Sequence, residues 1–219
     1  LNATMTQNTQ WNDMPFDISM GSEWRFESYQ IKSGEEASYI HGGVPILDGP
    51  HAGRIASAGS QVFPGFKPSN QVDVSRNSLA FFIESKLKIS ETLLLQGAIR
   101  TENYSDFGDH TDGKLAFAYT PSRDWLFRGS VNTGFRAPSI AQSSYRATST
   151  SFFDNGAYDV GTFGVDEPIA VALGATPLKP ETSEQLSYGF AYYGIKNFSL
   201  NFDAFNTKIK DQIVLSNAI

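Results

Sequence analysis

The chain has 219 residues, of which 40% are hydrophobic, 13% aromatic and 18% charged, with a formal net charge of −6, a pI near 5.0 and no cysteine. That balance is too apolar for a disordered chain, and the acidity excludes a duplex nucleic-acid binder, which needs a concentrated basic face. The lack of cysteine excludes disulfide frameworks, thiolate metal sites and cysteine nucleophiles. The longest apolar runs, Leu79 to Ile83 and Ile169 to Leu173, fall far short of the roughly 18 to 20 residues of a transmembrane helix, so strands must make any membrane crossing. No leader is visible before Leu1, and the chain reads as an internal piece of a longer product.

Taken in chain order, the dominant period is two, in segments of about 10 to 14 residues, the length of tilted strands crossing a bilayer. Residues 1 to 11 read as the end of a strand. Ile18, Met20, Trp24 and Phe26 then share one face, opposite Glu23, Arg25 and Glu27. A long loop is predicted from Lys32 to Arg76. Leu79, Phe81, Ile83, Leu87 and Ile89 oppose Glu84, Lys86 and Lys88, and after a turn at Ser90 to Glu91, Leu93, Leu95 and Ile99 oppose Gln96, Arg100 and Glu102. A short loop from Ser105 to Thr111 leads to Leu115, Phe117 and Tyr119, opposite Lys114, Ala116 and Ala118. Beyond a turn at Pro121 to Arg123, Trp125, Phe127, Val131 and Phe135 oppose Arg128, Ser130, Asn132 and Arg136. A second long loop spans Ala137 to Ser183. It is followed by Leu186, Tyr188, Phe190 and Tyr192, a turn at Gly194 to Asn197, and Phe198, Leu200 and Phe202 opposite Asn201 and Asp203.

Seven strands of one two-faced design, with residues 1 to 11 as an eighth, are therefore expected, and tight turns alternate with longer loops as in outer-membrane barrels. Tyr119, Trp125, Tyr192 and Phe198 flank two of the tight turns on the apolar face, the position of an interfacial aromatic girdle. A soluble all-β protein would also alternate, but strands this long and aromatics at matching depth fit a membrane barrel better.

Ser130 to Ser139 contains Gly134-Phe135-Arg136-Ala137-Pro138-Ser139, which closely resembles the G-F-R-A-P-S motif of TonB-dependent receptors. Leu178-Lys179-Pro180-Glu181, with Ser183 after it, is similar to that family's L-K-P-E-x-S element. Arg100 to Phe107, Asn197 to Leu200 and Ile209 to Val214 continue the likeness in the family's order. The resemblance implies an all-β antiparallel up-and-down barrel of about 22 strands, with long extracellular loops bearing short helices. This chain, as a single partial barrel domain over 1 to 219, would supply about a third of it. It also implies a plug domain, energisation by the TonB complex, outer-membrane lipid around the barrel and a small nutrient ligand. The plug, the TonB-contacting segment and the barrel ends are expected outside the chain, which lacks a terminal aromatic strand.

No catalytic constellation stands out, so an enzyme is not expected, nor a cofactor or metal. His41, His51 and His110 fall in predicted loops without metal-ligand spacing, and Asp106, Asp109 and Asp112 around Gly108 read as hairpin chemistry. Glu23, Arg25, Glu27, Glu84, Lys86, Arg100, Glu102 and Arg128 are candidates to line a wet lumen and hold the plug, or simply to solvate one another. In the motifs, Arg136 and Pro138 are expected to fix the strand exit. Tyr39, Phe63, Phe66, Tyr145, Phe152, Phe153, Tyr158 and Phe163 are the loop aromatics that exposed loops avoid unless they pack or bind something. Asp166-Glu167-Pro168 followed by Ile169 to Leu173 and Gly174 predicts a short helix with a start and a stop. Haem receptors of the family carry N-P-N-L and a histidine after F-R-A-P. Ser139-Ile140-Ala141-Gln142 stands here, with no histidine up to Ser183, which disfavours haem and leaves ferric siderophores, cobalamin and oligosaccharides. A passive or structural barrel is the competing function, and the absence of a plug upstream would single it out.

Overall fold

The computed structural model describes residues 1–60, 63–153 and 156–217. Among the described residues ten strands form: β1 Asn2–Trp11, β2 Met14–Ile31, β3 Val72–Lys88, β4 Leu93–Tyr104, β5 Gly108–Ser122, β6 Trp125–Arg136, β7 Ala147–Phe153, β8 Gly156–Thr162, β9 Glu181–Ile195 and β10 Phe198–Lys210. Eight of them make one sheet in the order β1-β2-β3-β4-β5-β6-β9-β10, and β7 and β8 make a second, two-stranded one. The main sheet is thus an antiparallel meander, interrupted once by the β7–β8 hairpin. Two five-residue helices, α1 Ile140–Ser144 and α2 Pro168–Ala172, lie in the connection between β6 and β9. The chain divides into two compact units, one of residues 1–26, 76–137 and 179–213, the other of 27–75, 138–178 and 214–219.

In the first unit, β1 (Asn2–Trp11) pairs with β2 from Asn2 opposite Glu23 to Trp11 opposite Met14. The connecting turn holds Asn12 and Asp13 at φ 50° and 63°. Those are the two left-handed positions of the hairpin turn whose twist matches the flanking strands, and Asn and Asp tolerate them because a short polar side chain bonds locally. Asn197, at φ 60°, does the same service between β9 and β10.

The ladders carry the predicted two-faced pattern across the sheet. Leu95, Phe117 and Gly129 form one cross-strand row of the apolar face, and Tyr188 extends it onto β9. Large apolar side chains are exposed, Ile99 57%, Leu115 66%, Val131 53% and Leu186 53%, while on the polar face Glu102 is 5% exposed and Arg25, Glu84, Lys86 and Lys114 are open. A soluble sheet buries its apolar face, since exposing contiguous large apolar side chains to water costs free energy. The apolar band is also bounded. Toward the tight turns it ends in a ring cluster, with Trp125 4.6 Å from Tyr192 and 5.6 Å from Phe127. At its other limit, the same face turns polar: Thr111 donates to Thr101 at 3.0 Å, Asn103 to Asp109 at 2.7 Å, and Lys210 meets Glu184 at 2.5 Å.

Several boundaries differ from the sequence reading. β3 begins at Val72, four residues before the predicted loop end: Val72 and Val74 alternate with Asp73 and Ser75, but the polar run Ser75 to Ser78 separates them from the apolar alternation that starts at Leu79. The β4–β5 turn closes over Ser105 to Phe107, so His110, Asp109 and Asp112 belong to β5 rather than to a loop. Pro121 also lies within β5, at a register shift between Tyr119 and Ser122, where an irregular ladder tolerates its missing N–H. The β7–β8 hairpin was not anticipated: Ala147 to Ser151 is one alanine followed by four hydroxyl residues and shows no apolar face.

The second unit carries the two long connections. Residues 32–71 fold back on themselves. The Ser38 carbonyl accepts from Ser60 at 3.1 Å and Gly65 at 2.9 Å, and Gly59 donates to the Ile40 carbonyl at 2.8 Å. Gly59 sits at φ +59°, and a Cβ there would lie 1.9 Å from the Ser38 oxygen, so no other residue fits. α1 is opened by a reciprocal capping box, the Ser139 hydroxyl accepting from the Gln142 amide at 3.0 Å and the Gln142 side chain accepting from the Ser139 amide at 3.0 Å. The predicted helix start at Pro168 and stop at Gly174, which has φ +97°, are both present.

Candidate functional site

The polar face of the first unit brings together residues far apart in sequence. Arg100 on β4 donates to Glu102 from Nε at 3.1 Å and Nη2 at 2.9 Å, and its Nη2 also reaches Glu23 on β2 at 3.1 Å. Glu23 accepts from Arg25 at 2.7 Å. Four of the predicted polar-face residues thus form one chain of alternating charge. Each arginine fork satisfies carboxylate lone pairs that would otherwise be left dry, which explains how Glu102 tolerates burial.

Glu84 pairs with the amide of Gln96. Lys86 stays exposed, lining a cavity of about 320 Å³ with Asp17, Lys88 and Glu91. Arg128 makes a two-pronged pair with Asp203 at 2.8 and 2.5 Å. The strand between them places Gly189 directly opposite both residues, and a Cβ there would lie 2.2 Å from the Asp203 carboxylate, so the pair crosses β9 only because Gly189 has no side chain. Glu27 belongs to the second unit.

The sequence reading missed a neighbouring cluster. Arg76 is 3.4 Å from Asp106 and lies over the Tyr104 ring at 5.1 Å. Tyr104 stacks on Phe107 at 4.4 Å, and His110 approaches Asp112 at 3.5 Å. Phe135 was expected among the exposed apolar side chains. Its ring instead packs 4.2 Å from His110 and 6.0 Å, edge-on, from Tyr104, two polar-face residues. The aromatic density around Arg100 to Phe107 was the available signal, although pairing with a strand some 30 residues away was not readable from it.

The two motifs meet at one point. Arg136, the last residue of β6, faces Glu181, the first residue of β9, with Nη1 3.3 Å from the carboxylate. The other carboxylate oxygen accepts from the Ile213 amide at 2.9 Å, and Ser183 donates to the Gly134 carbonyl at 3.2 Å. The pair clasps two strands that a 44-residue connection separates. Ala137 is half-buried, Pro138 buried, Lys179 exposed, and Leu178 and Pro180 half-buried.

In the second unit, Lys67 pairs with Asp159 of β8 at 2.9 Å, and Phe66 meets Tyr145 edge-on at 6.3 Å. The two long connections are therefore fastened to one another. Arg146 is held by Glu167 at 2.6 Å and Asp166 at 3.7 Å. Of the predicted loop aromatics, Phe63 is 82% exposed, Phe163, Tyr158 and Tyr145 are exposed less fully, Phe66 stands at the margin, and Tyr39 is half-buried. The side chains of Phe152 and Phe153 lie outside the described residues. Among the described residues, no group of three or more acidic or histidine side chains is placed to hold a metal ion.

The family profile described as TonB dependent receptor-like, beta-barrel matches residues 2–219. The iron-regulated outer membrane virulence protein of Vibrio cholerae serotype O1 is 24% identical over 147 residues, covering 67% of this chain and 20% of that protein. The chain spans about a fifth of the length of this curated relative. Among solved structures, the siderophore receptor PirA from Acinetobacter baumannii matches with a TM-score of 0.63 at 16% identity, over 96% of this chain and 26% of its own. A variant of the ferric enterobactin receptor PfeA from Pseudomonas aeruginosa, in complex with enterobactin, matches with a TM-score of 0.64 at 14% identity, over 95% and 26%.

Proposed function

The chain belongs to the TonB-dependent receptor β-barrel family, and from that premise we propose that it is one part of the barrel of an energised outer-membrane importer for a scarce nutrient. The family is one of outer-membrane receptors, so the exposed apolar face of the sheet is the face that meets lipid. The observation that carries the reading is the family match over residues 2–219 on a sheet whose greasy side is exposed. In this reading the chain is a single partial barrel domain, and the Arg100, Glu102, Glu23 and Arg25 network faces the lumen and the receptor's plug. The loop unit takes the ligand. The TonB complex acts through the plug, and the protein's work is transport rather than catalysis.

Among the ligand classes left by the sequence, a ferric siderophore has the support of the relatives' names, which include an iron-regulated protein and two siderophore receptors. The test is uptake of labelled ferric chelates by cells carrying the full-length receptor, with the TonB complex intact and inactivated. Uptake that stops when the complex is inactivated fits the proposal; uptake that continues would make the protein a passive barrel. Exchanging residues 138–178 for a short linker is expected to abolish ligand binding while the receptor still folds.

A further inference from the structure

The loop unit of residues 27–75, 138–178 and 214–219 contains nine Asp and Glu residues against four Lys and Arg, so it carries five of the chain's six net negative charges. Three of its four cations are already engaged, and the fourth, Lys32, is exposed. Lys67 is spent on Asp159, Arg146 on Glu167 and Asp166, and Arg54 has a partner within the protein. Glu35, Glu36 and Asp48 are exposed in the first long connection, and Asp166 keeps 70% of its side-chain surface in water despite its ion pair. The same unit exposes the rings of Phe63, Tyr145, Tyr158 and Phe163.

An approaching polyanion would meet surplus carboxylates, with three of the four cationic groups that could clamp it held elsewhere and Lys32 alone exposed. A neutral or cationic ligand meets no such barrier and gains stacking or cation–π contact with the rings. Resting on the reading that these loops take the ligand, we propose that this unit selects an uncharged or cationic nutrient and turns away polyanionic chelates. A trianionic ferric triscatecholate is then a poor ligand. A neutral or cationic ferric hydroxamate, or an uncharged saccharide or corrinoid, suits the surface.

The experiment uses the full-length receptor and a panel differing in charge: a neutral and a cationic ferric trihydroxamate, a trianionic ferric triscatecholate, an uncharged oligosaccharide and cyanocobalamin. At least one uncharged or cationic member is expected to bind about tenfold or more tightly than the triscatecholate. The Glu35→Lys, Glu36→Lys, Asp48→Lys triple variant, altered only at exposed positions, is expected to narrow that gap. On the wild-type receptor, which needs no variant to fold, raising the salt is expected to favour the triscatecholate by screening the repulsion. Triscatecholate binding as tight as that of the neutral members would overturn the charge selection and leave the importer reading standing. Failure of every panel member to bind, or binding that survives exchange of residues 138–178, would sink the loop reading itself and the selection with it.

Discussion

Replacing Leu115 with arginine separates a lipid-facing sheet from a water-facing one. Leu115 lies in mid-strand on β5, between Tyr119, which stands opposite Phe127 in the ladder, and the polar rim at Thr111, and is 66% exposed. Its cross-strand neighbours are Gly97 and Val131, and its methyl group sits 3.6 Å from where a Gly97 Cβ would be. No cavity is created and no hydrogen bond is lost on substitution, so in water the change would stay within about 0.5 kcal/mol. Near the middle of a bilayer the arginine costs about 2 to 4 kcal/mol, roughly thirty- to several-hundred-fold in the folding equilibrium. The assay is refolding of the full-length receptor into lipid vesicles, following the folded fraction by heat-modifiable gel mobility across a urea series. Lys114→Ala, one residue along on the polar face, is the control and is expected to move the midpoint little. Equal, small shifts for both variants would refute the assignment of faces.

Two further substitutions probe the polar face by the same assay. Gly189→Leu is expected to cost about 1 to 3 kcal/mol by overpacking against the neighbouring backbone, and in that background Arg128→Ala should have no further effect, because the Arg128–Asp203 pair can no longer cross β9; an undiminished effect of Arg128→Ala would show that the glycine gap is not what admits the pair. Glu102→Gln leaves Arg100 with Glu23 as its remaining carboxylate and is expected to lose about 1 to 3 kcal/mol, most of it recovered when Arg100→Gln is added; strictly additive losses would mean the two do not act as a unit.

The regular part of the fold was legible because its signal is local. A period of two in long segments states which side chains share a face, and tight turns alternating with long connections state a meander. Signals that depend on a partner far along the chain stayed hidden. Polar stretches such as Ser75 to Ser78 and Ala147 to Ser151 are strands because of what they pair with, and nothing in their own alternation marks them. Phe135 carries the parity of the apolar face, yet its ring is taken up by Tyr104 and His110, which only the register of β4 and β5 brings near. The motif residues were recognisable as a family mark, while their physical link, Arg136 to Glu181, became visible only once β6 and β9 were paired.

By itself, then, the sequence determined the two-faced character of the sheet, the alternation of tight turns with longer connections and the family, since each is written in residues close together or in an ordered set of motifs. The tertiary structure decided which charges satisfy which. That Arg100 serves both Glu102 and Glu23 and that Gly189 makes room for Arg128 and Asp203 follow from strand order and register, and that Lys67 and Arg146 are engaged follows from how the long connections fold on one another. Electrostatic partnership depends on distances of a few ångströms between residues remote in the chain, and composition alone does not encode them.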